Sequence, residues 1–185
     1  MAYTALLDAC VLYPPTLRDL LLRLGERQLY RPLWSGEILE EMVRSILRDR
    51  PDLTAERLAR TVDLMREFFP DAEVVGYESL VEAMANERRD RHILAAAVKG
   101  RADVIVTRNL KHFPAKVLEP FDLDVQDPDN FLLHQFHLTP RIVVAELEEI
   151  ASTNKLPPRT MSDLLDRLNA LAPEFSQTVR AHLTE

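Results

Sequence analysis

Cysteine, glycine and long apolar runs are all scarce in this chain, and each scarcity excludes a class of protein. A single cysteine, Cys10, rules out an internal disulfide and fits a reducing compartment. Only four glycines occur in 185 residues, and neither GxGxxG nor GxxxxGK is among the motifs, which argues against a nucleotide cradle. No apolar run approaches the roughly 18 residues that a membrane-crossing helix needs. The opening stretch MAYTALLDACVLYPP has no basic leader, and Asp8 interrupts its apolar residues, so a signal peptide is not expected. Internal repeats and low-complexity stretches are missing too. These absences point to a soluble protein of the cytoplasm with no membrane partner.

What is present is ordinary in amount and uneven in arrangement. Apolar residues make up 46% and charged residues 29%, enough for one well-buried core and a small appendage. The net charge of −7 argues against indiscriminate binding to nucleic acid. Residues 86–116, however, hold eight Lys and Arg against three Asp and Glu. A basic island in an acidic chain suits either a local phosphate-binding surface or a solvated helix face.

Short apolar runs alternate with amphipathic helical patterns. YTALL (3–7), LYRPLW (29–34), EVVG (73–76), DVIVT (103–107) and LDV (123–125) read as strands. Between them, Thr16 is expected to cap a helix that Gly25 stops, and Ser35 and Thr54 to cap two more. A short helix over 78–84 precedes a second one from Asp90 to Lys99, closed by Gly100. Strands separated by helices predict an α/β fold with a parallel sheet covered on both faces. Ligands of such sheets bind beyond the carboxyl ends of the strands, where Asp8 and Asn109 fall. From Pro140 onward, three apolar stripes at helical spacing, the first two separated by the loop STNKLPPR, predict a helical extension. The division is residues 1–137 and 138–185.

Four polar positions stand out: Asp8, a glutamate among Glu37, Glu40 and Glu41, then Asp90 and Asn109. Each has a plain structural reading as a cap, a turn residue or a solvated helix face. Asp90 is unusual in being ringed by Arg88, Arg89, Arg91 and His92. Carboxylates that converge on one point stay ionised together only with a cation among them. Hard oxygen donors without zinc-spaced Cys or His suit Mg²⁺ or Mn²⁺, which polarises a phosphoryl oxygen and activates an attacking water. The arginines around Asp90 would then grip phosphate.

LLDACVLYP, SGEILEEMVRSIL, DRHILAAAV and DVIVTRNLKHFP, taken in order, resemble the PIN-domain ribonucleases, in particular the VapC-like bacterial toxins. The resemblance covers roughly residues 3–132, with DVQDPDNFL similar to the closing strand and helix; the helical tail resembles extensions on some VapC-like proteins. It implies an α/β/α sandwich and Mg²⁺- or Mn²⁺-dependent hydrolysis of an RNA phosphodiester, typically in tRNA or rRNA. It also implies a cognate antitoxin and frequent homodimerisation. Carried onto this sequence, it makes Asp8, Glu41 and Asp90 the metal-binding and catalytic carboxylates and Thr107 the strand-end hydroxyl. Asn109 stands near the place of a fourth aspartate, contributing an amide oxygen without charge. His112 stands where relatives often carry aspartate, and Cys10 where many carry asparagine. Arg88, Arg89, Arg91, Arg108 and Lys111 are the candidate RNA contacts. Glu41 is preferred to Glu37 and Glu40 on the family pattern alone.

Two other readings carry distinct expectations. A catalytically weak PIN domain acting as an RNA-binding or scaffold module is favoured by Asn109 and opposed by the intact carboxylates. A nuclease acting on DNA flaps or single strands would cleave ribo and deoxy oligonucleotides equally. The tail, with five basic and seven acidic residues, suits core completion, a dimer surface or antitoxin contact better than RNA binding.

Overall fold

A computed structural model describes residues 3–153 and 160–184. Five strands form one parallel sheet: β1 (Thr4–Leu7), β2 (Arg31–Ser35), β3 (Glu73–Val74), β4 (Val104–Val106) and β5 (Asp124–Gln126). Their order across the sheet is β3-β2-β1-β4-β5. Strands β1 and β4 are buried throughout. That burial explains why they read as unbroken apolar runs instead of alternating ones. Chain direction across the sheet reverses at β1, which pairs with β2 on one side (Leu6 beside Leu33) and β4 on the other (Leu6 beside Ile105). The reversal opens a crevice at the carboxyl ends of β1 and β4, the usual ligand position in such sheets.

The connections are helical, giving the expected α/β/α layering. Helices α1 (Ala9–Leu12) and α2 (Pro15–Glu26) lead from β1 to β2, and α3 (Gly36–Asp49) and α4 (Ala55–Phe68) from β2 to β3. Helix α5 (Arg91–Gly100) returns across the sheet, packing on β2, β3 and β4, and the short α6 (Ala115–Leu118) precedes β5. Ser35 and Thr54 cap α3 and α4 as expected, their hydroxyls accepting from the amides of Ile38 (3.2 Å) and Arg57 (3.4 Å).

Three local expectations are overturned. Helix α2 begins at Pro15 behind Pro14, so Thr16 lies inside its first turn and caps nothing. Gly25 does not stop α2: it lies inside the helix, and Gln28 (φ +62°) takes the left-handed position three residues later. Gly100 likewise ends α5 in helical conformation, while Arg101 (φ +53°) is the left-handed residue. Both ends close with paired backbone hydrogen bonds, Leu29 N–H to Leu24 O (3.1 Å) with Gln28 to Gly25 (2.9 Å), and Ala102 to Ala97 (2.9 Å) with Arg101 to Val98 (3.2 Å).

Beyond the sheet come α7 (Pro128–Leu138), α8 (Pro140–Thr153), α9 (Met161–Asn169) and α10 (Pro173–His182). Of the expected loop STNKLPPR, residues 154–159 lie outside the described residues. Helix α7 bridges the two parts of the chain. Phe131 meets Tyr30 edge-on at 4.9 Å, and Asp129 accepts from the amides of Glu174 (3.0 Å) and Phe175 (2.8 Å). Asp129 thereby satisfies the start of α10, whose own cap position, Ala172, has no side-chain oxygen to offer. Helix α8 docks on α2, where the buried Glu146 meets Arg27 and Arg23. Among the described residues no helix is long and apolar enough to cross a membrane.

Candidate active site

Asp8 follows β1, Thr107 follows β4, Asp90 immediately precedes α5, and Glu41 lies in the middle of α3. These elements meet at the crevice, where Asp8, Glu41, Asp90, Arg108 and Asn109 line one open cleft of about 550 Å³. The sequence periodicity that makes α3 amphipathic sends Glu41 to this wall, and Glu40 lines a separate groove between α3 and α4.

Asp8 is 4% exposed, and its partners come from both central strand ends. The Thr107 hydroxyl donates to Asp8 Oδ2 at 2.6 Å, and the Cys10 thiol donates to the same oxygen at 3.1 Å. Thr107 in turn accepts from the Asn109 amide (3.0 Å), and the Cys10 sulfur accepts from the Arg108 amide (3.2 Å). Burial raises the Asp8 carboxyl above its ordinary range; the Thr107 and Cys10 donors work against this, and the Asp90 charge adds to it. Burial and the nearby Asp8 charge push the Cys10 thiol up to about 12, so it stays protonated and serves as a donor.

Asp90 makes no side-chain cap for α5, the plain reading of an acid at a helix start. Its Oδ2 instead lies 2.6 Å from Nδ1 of His112, and the Asn86 side chain donates to its backbone oxygen at 3.0 Å. His112 is thus a partner of Asp90.

The expected cations divide. Arg108 lines the cleft, whereas Arg88, Arg89 and Lys111 are exposed and are not among its lining residues. Arg91 is half-buried, its Nε reaching Asn86 O at 3.5 Å. Two lining cations were not singled out from the sequence: Arg44 and Arg48, on the wall formed by α3. Positions 37, 41, 44, 45 and 48 share one face of that helix, so helical periodicity carried the signal. His92, read from the sequence only as one of the positive groups around Asp90, is buried in α5, with Nε2 3.3 Å from Glu41 Oε1 and Nδ1 3.6 Å from Glu37 Oε2. Burial disfavours its protonation, but Glu41, Glu37 and Asp8 together outweigh that and raise its pKa.

The donor set fits a hard divalent cation. Four carboxylates (Asp8, Glu41, Asp49 and Asp90) and the Asn109 side-chain amide line the cleft; Asp49 is engaged by Arg48 at 2.8 Å, and Asp8 is driven toward protonation partly by the charge of Asp90. A cation among the carboxylates relieves that conflict.

Comparison with known proteins identifies the family. The PIN-domain family model matches residues 4–111, more than half of the chain, and the model of the VapC50 C-terminal domain matches residues 128–181. A curated protein of Mycobacterium tuberculosis, "Putative ribonuclease VapC50", is 44% identical over 105 residues, covering 57% of this chain and 62% of that protein. The match therefore spans less than two thirds of the relative's length. No solved structure matches the chain. With the acidic cleft at the carboxyl ends of β1 and β4, and with these matches, the chain belongs to the PIN-domain family and carries a VapC50-type C-terminal domain behind it.

Proposed function

We propose that this chain is a metal-dependent endoribonuclease, the toxin of a VapBC-type pair, hydrolysing phosphodiester bonds in tRNA or rRNA. The observation that carries the reading is the convergence of Asp8, Glu41 and Asp90, from three separate elements, on one cleft also lined by arginines. The name of the M. tuberculosis relative, a ribonuclease, supports RNA as the substrate class. Asp8, Glu41 and Asp90 would hold Mg²⁺ or Mn²⁺, with Asn109 offering an uncharged oxygen beside them. When bound, such an ion polarises the scissile phosphate, lowers the pKa of water and offsets charge on the leaving oxygen.

The chain's own residues supply the rest. Thr107 and Cys10 fix Asp8 through Oδ2, and His112 fixes Asp90 through its Oδ2. Arg108, Arg44 and Arg48 bind the phosphates flanking the scissile bond, where guanidinium forks match phosphate oxygens. The exposed Arg88, Arg89 and Lys111 reach RNA farther from the bond. A carboxylate of the cluster takes the proton of the attacking water as the phosphodiester opens in line. No protein nucleophile is needed. The cognate antitoxin acts by blocking this cleft, and the helical domain supports the fold and a homodimer.

Paired oligonucleotides test the substrate class. Wild type cleaves an oligoribonucleotide in Mg²⁺ or Mn²⁺ and leaves its deoxy counterpart intact, and Glu41→Gln loses the activity by at least about 100-fold, as removal of an electrostatic catalytic group does. Equal cleavage of both strands would favour the DNA reading. Binding without cleavage would favour the scaffold module, to which the uncharged Asn109 points.

A further inference from the structure

Of the three carboxylates read as metal ligands, Asp8 and Asp90 are short side chains held by donors already described. Glu41 is longer, half-buried and mounted on a different helix, and its neighbour is His92. His92 is 6% exposed, and neither ring nitrogen has a hydrogen-bond partner of regular geometry; both face carboxylates, Glu41 Oε1 at 3.3 Å and Glu37 Oε2 at 3.6 Å. The Tyr77 hydroxyl steadies Glu37 from the far side, donating to Oε2 at 3.3 Å. A chain of polar groups thus runs Tyr77, Glu37, His92, Glu41 and ends at the cleft. An imidazole buried this deeply is costly unless its nitrogens are engaged. An apolar residue at this buried position would avoid that cost.

We propose that His92 is a positioning residue for Glu41, donating from Nε2 to Oε1 so that this carboxylate stays turned toward Asp8 and Asp90 and the divalent ion they hold. This rests on the nuclease reading of the cleft. Outer partners of ligating groups set their orientation, and their loss typically lowers metal affinity by about 10–100-fold. The two ring nitrogens make the role separable. A glutamine amide reaches about as far as Nε2 and can serve Glu41, whereas an asparagine amide reaches only about as far as Nδ1 and faces Glu37.

The test is calorimetric titration of the full chain with Mg²⁺ and with Mn²⁺, comparing wild type with His92→Phe, His92→Asn and His92→Gln. The first two variants should bind the ions about 10–100-fold more weakly, while His92→Gln recovers most of the loss. RNA affinity in EDTA, read by fluorescence anisotropy, should be unchanged in all. Wild-type ion affinity in His92→Phe or His92→Asn overturns the positioning role, as does a His92→Gln variant no better than His92→Asn. The asparagine and glutamine pair keeps the comparison available should the phenylalanine fail to fold. A wild-type protein that binds neither ion removes the nuclease reading and this role together, an outcome distinct from normal binding in both wild type and variants.

Discussion

At the scale of single residues, the cleft trades stability for charge. Burial raises the Asp8 carboxyl, with the Asp90 charge adding to the effect. A folded-state pKa above the unfolded value means that the folded chain holds a proton the unfolded chain has already released. Stability present below the unfolded value is therefore lost as pH rises through the raised folded one. Asp8→Asn escapes that loss. In EDTA at neutral pH the variant should melt about 2–4 °C above wild type, roughly 1 kcal/mol for a chain this size, and the gap should close as pH falls through the carboxylate range. Added Mg²⁺ should reverse the ranking: at 100 times its dissociation constant it contributes about 2.7 kcal/mol to wild type only. A variant no more stable than wild type at any pH would mean that Asp8 carries no electrostatic strain. Much of this site was legible in the sequence, because Asp8, Asp90 and Asn109 sit at element ends, and topology gathers element ends. Arg44, Arg48 and His92 were less legible. The two arginines belong to no motif of their own, and the contact of His92 with Glu41 joins residues 51 positions apart.

At the scale of elements, five strands and their order of helices followed from apolar periodicity, while the helix ends did not. Gly25 and Gly100 looked like stop signals because glycine commonly takes the left-handed position after a helix. Here that position falls to Gln28 and Arg101, and the glycines serve close packing. A Cβ on Gly100 would lie 2.7 Å from Leu33 Cδ1 and 2.8 Å from Val74 Cγ2, both in buried side chains under α5. Composition cannot distinguish these uses, because the neighbour that demands the glycine lies on another strand. Gly100→Ala should therefore destabilise by about 1–3 kcal/mol through overpacking, despite the better helix propensity of alanine. Chemical denaturation checks this; a gain in stability would contradict the packing account. Because Asp90 immediately precedes α5, the same variant also tests how firmly the helix anchors the cleft.

At the scale of the whole molecule, the sheet and the C-terminal helices share one buried apolar core, and specific polar and aromatic contacts join them as well. Apolar spacing announced the helices beyond residue 138, but not that α7 would both touch Tyr30 and cap α10 through Asp129. Glu146 of α8 is 3% exposed and faces Arg23 of α2 and Arg27 just beyond that helix. Glu146→Ala leaves those guanidiniums without their buried partner and should cost about 1–3 kcal/mol, moderated because Arg27 is half in solvent. Thermal unfolding checks this, and unchanged melting would mean that apolar packing alone docks the tail. On the proposed nuclease reading, the net charge of −7 would place the burden of RNA capture on the local arginines around the cleft rather than on a global field. The central claim is that Asp8, Glu41 and Asp90 form a metal-dependent phosphodiesterase centre. The most direct test incubates total bacterial RNA with purified, antitoxin-free protein, wild type beside Asp90→Asn, in Mg²⁺, in Mn²⁺ and in EDTA. Discrete fragments that require metal and disappear in the variant are the predicted result. Intact RNA under every condition, or fragments that persist in EDTA or in Asp90→Asn, would contradict it.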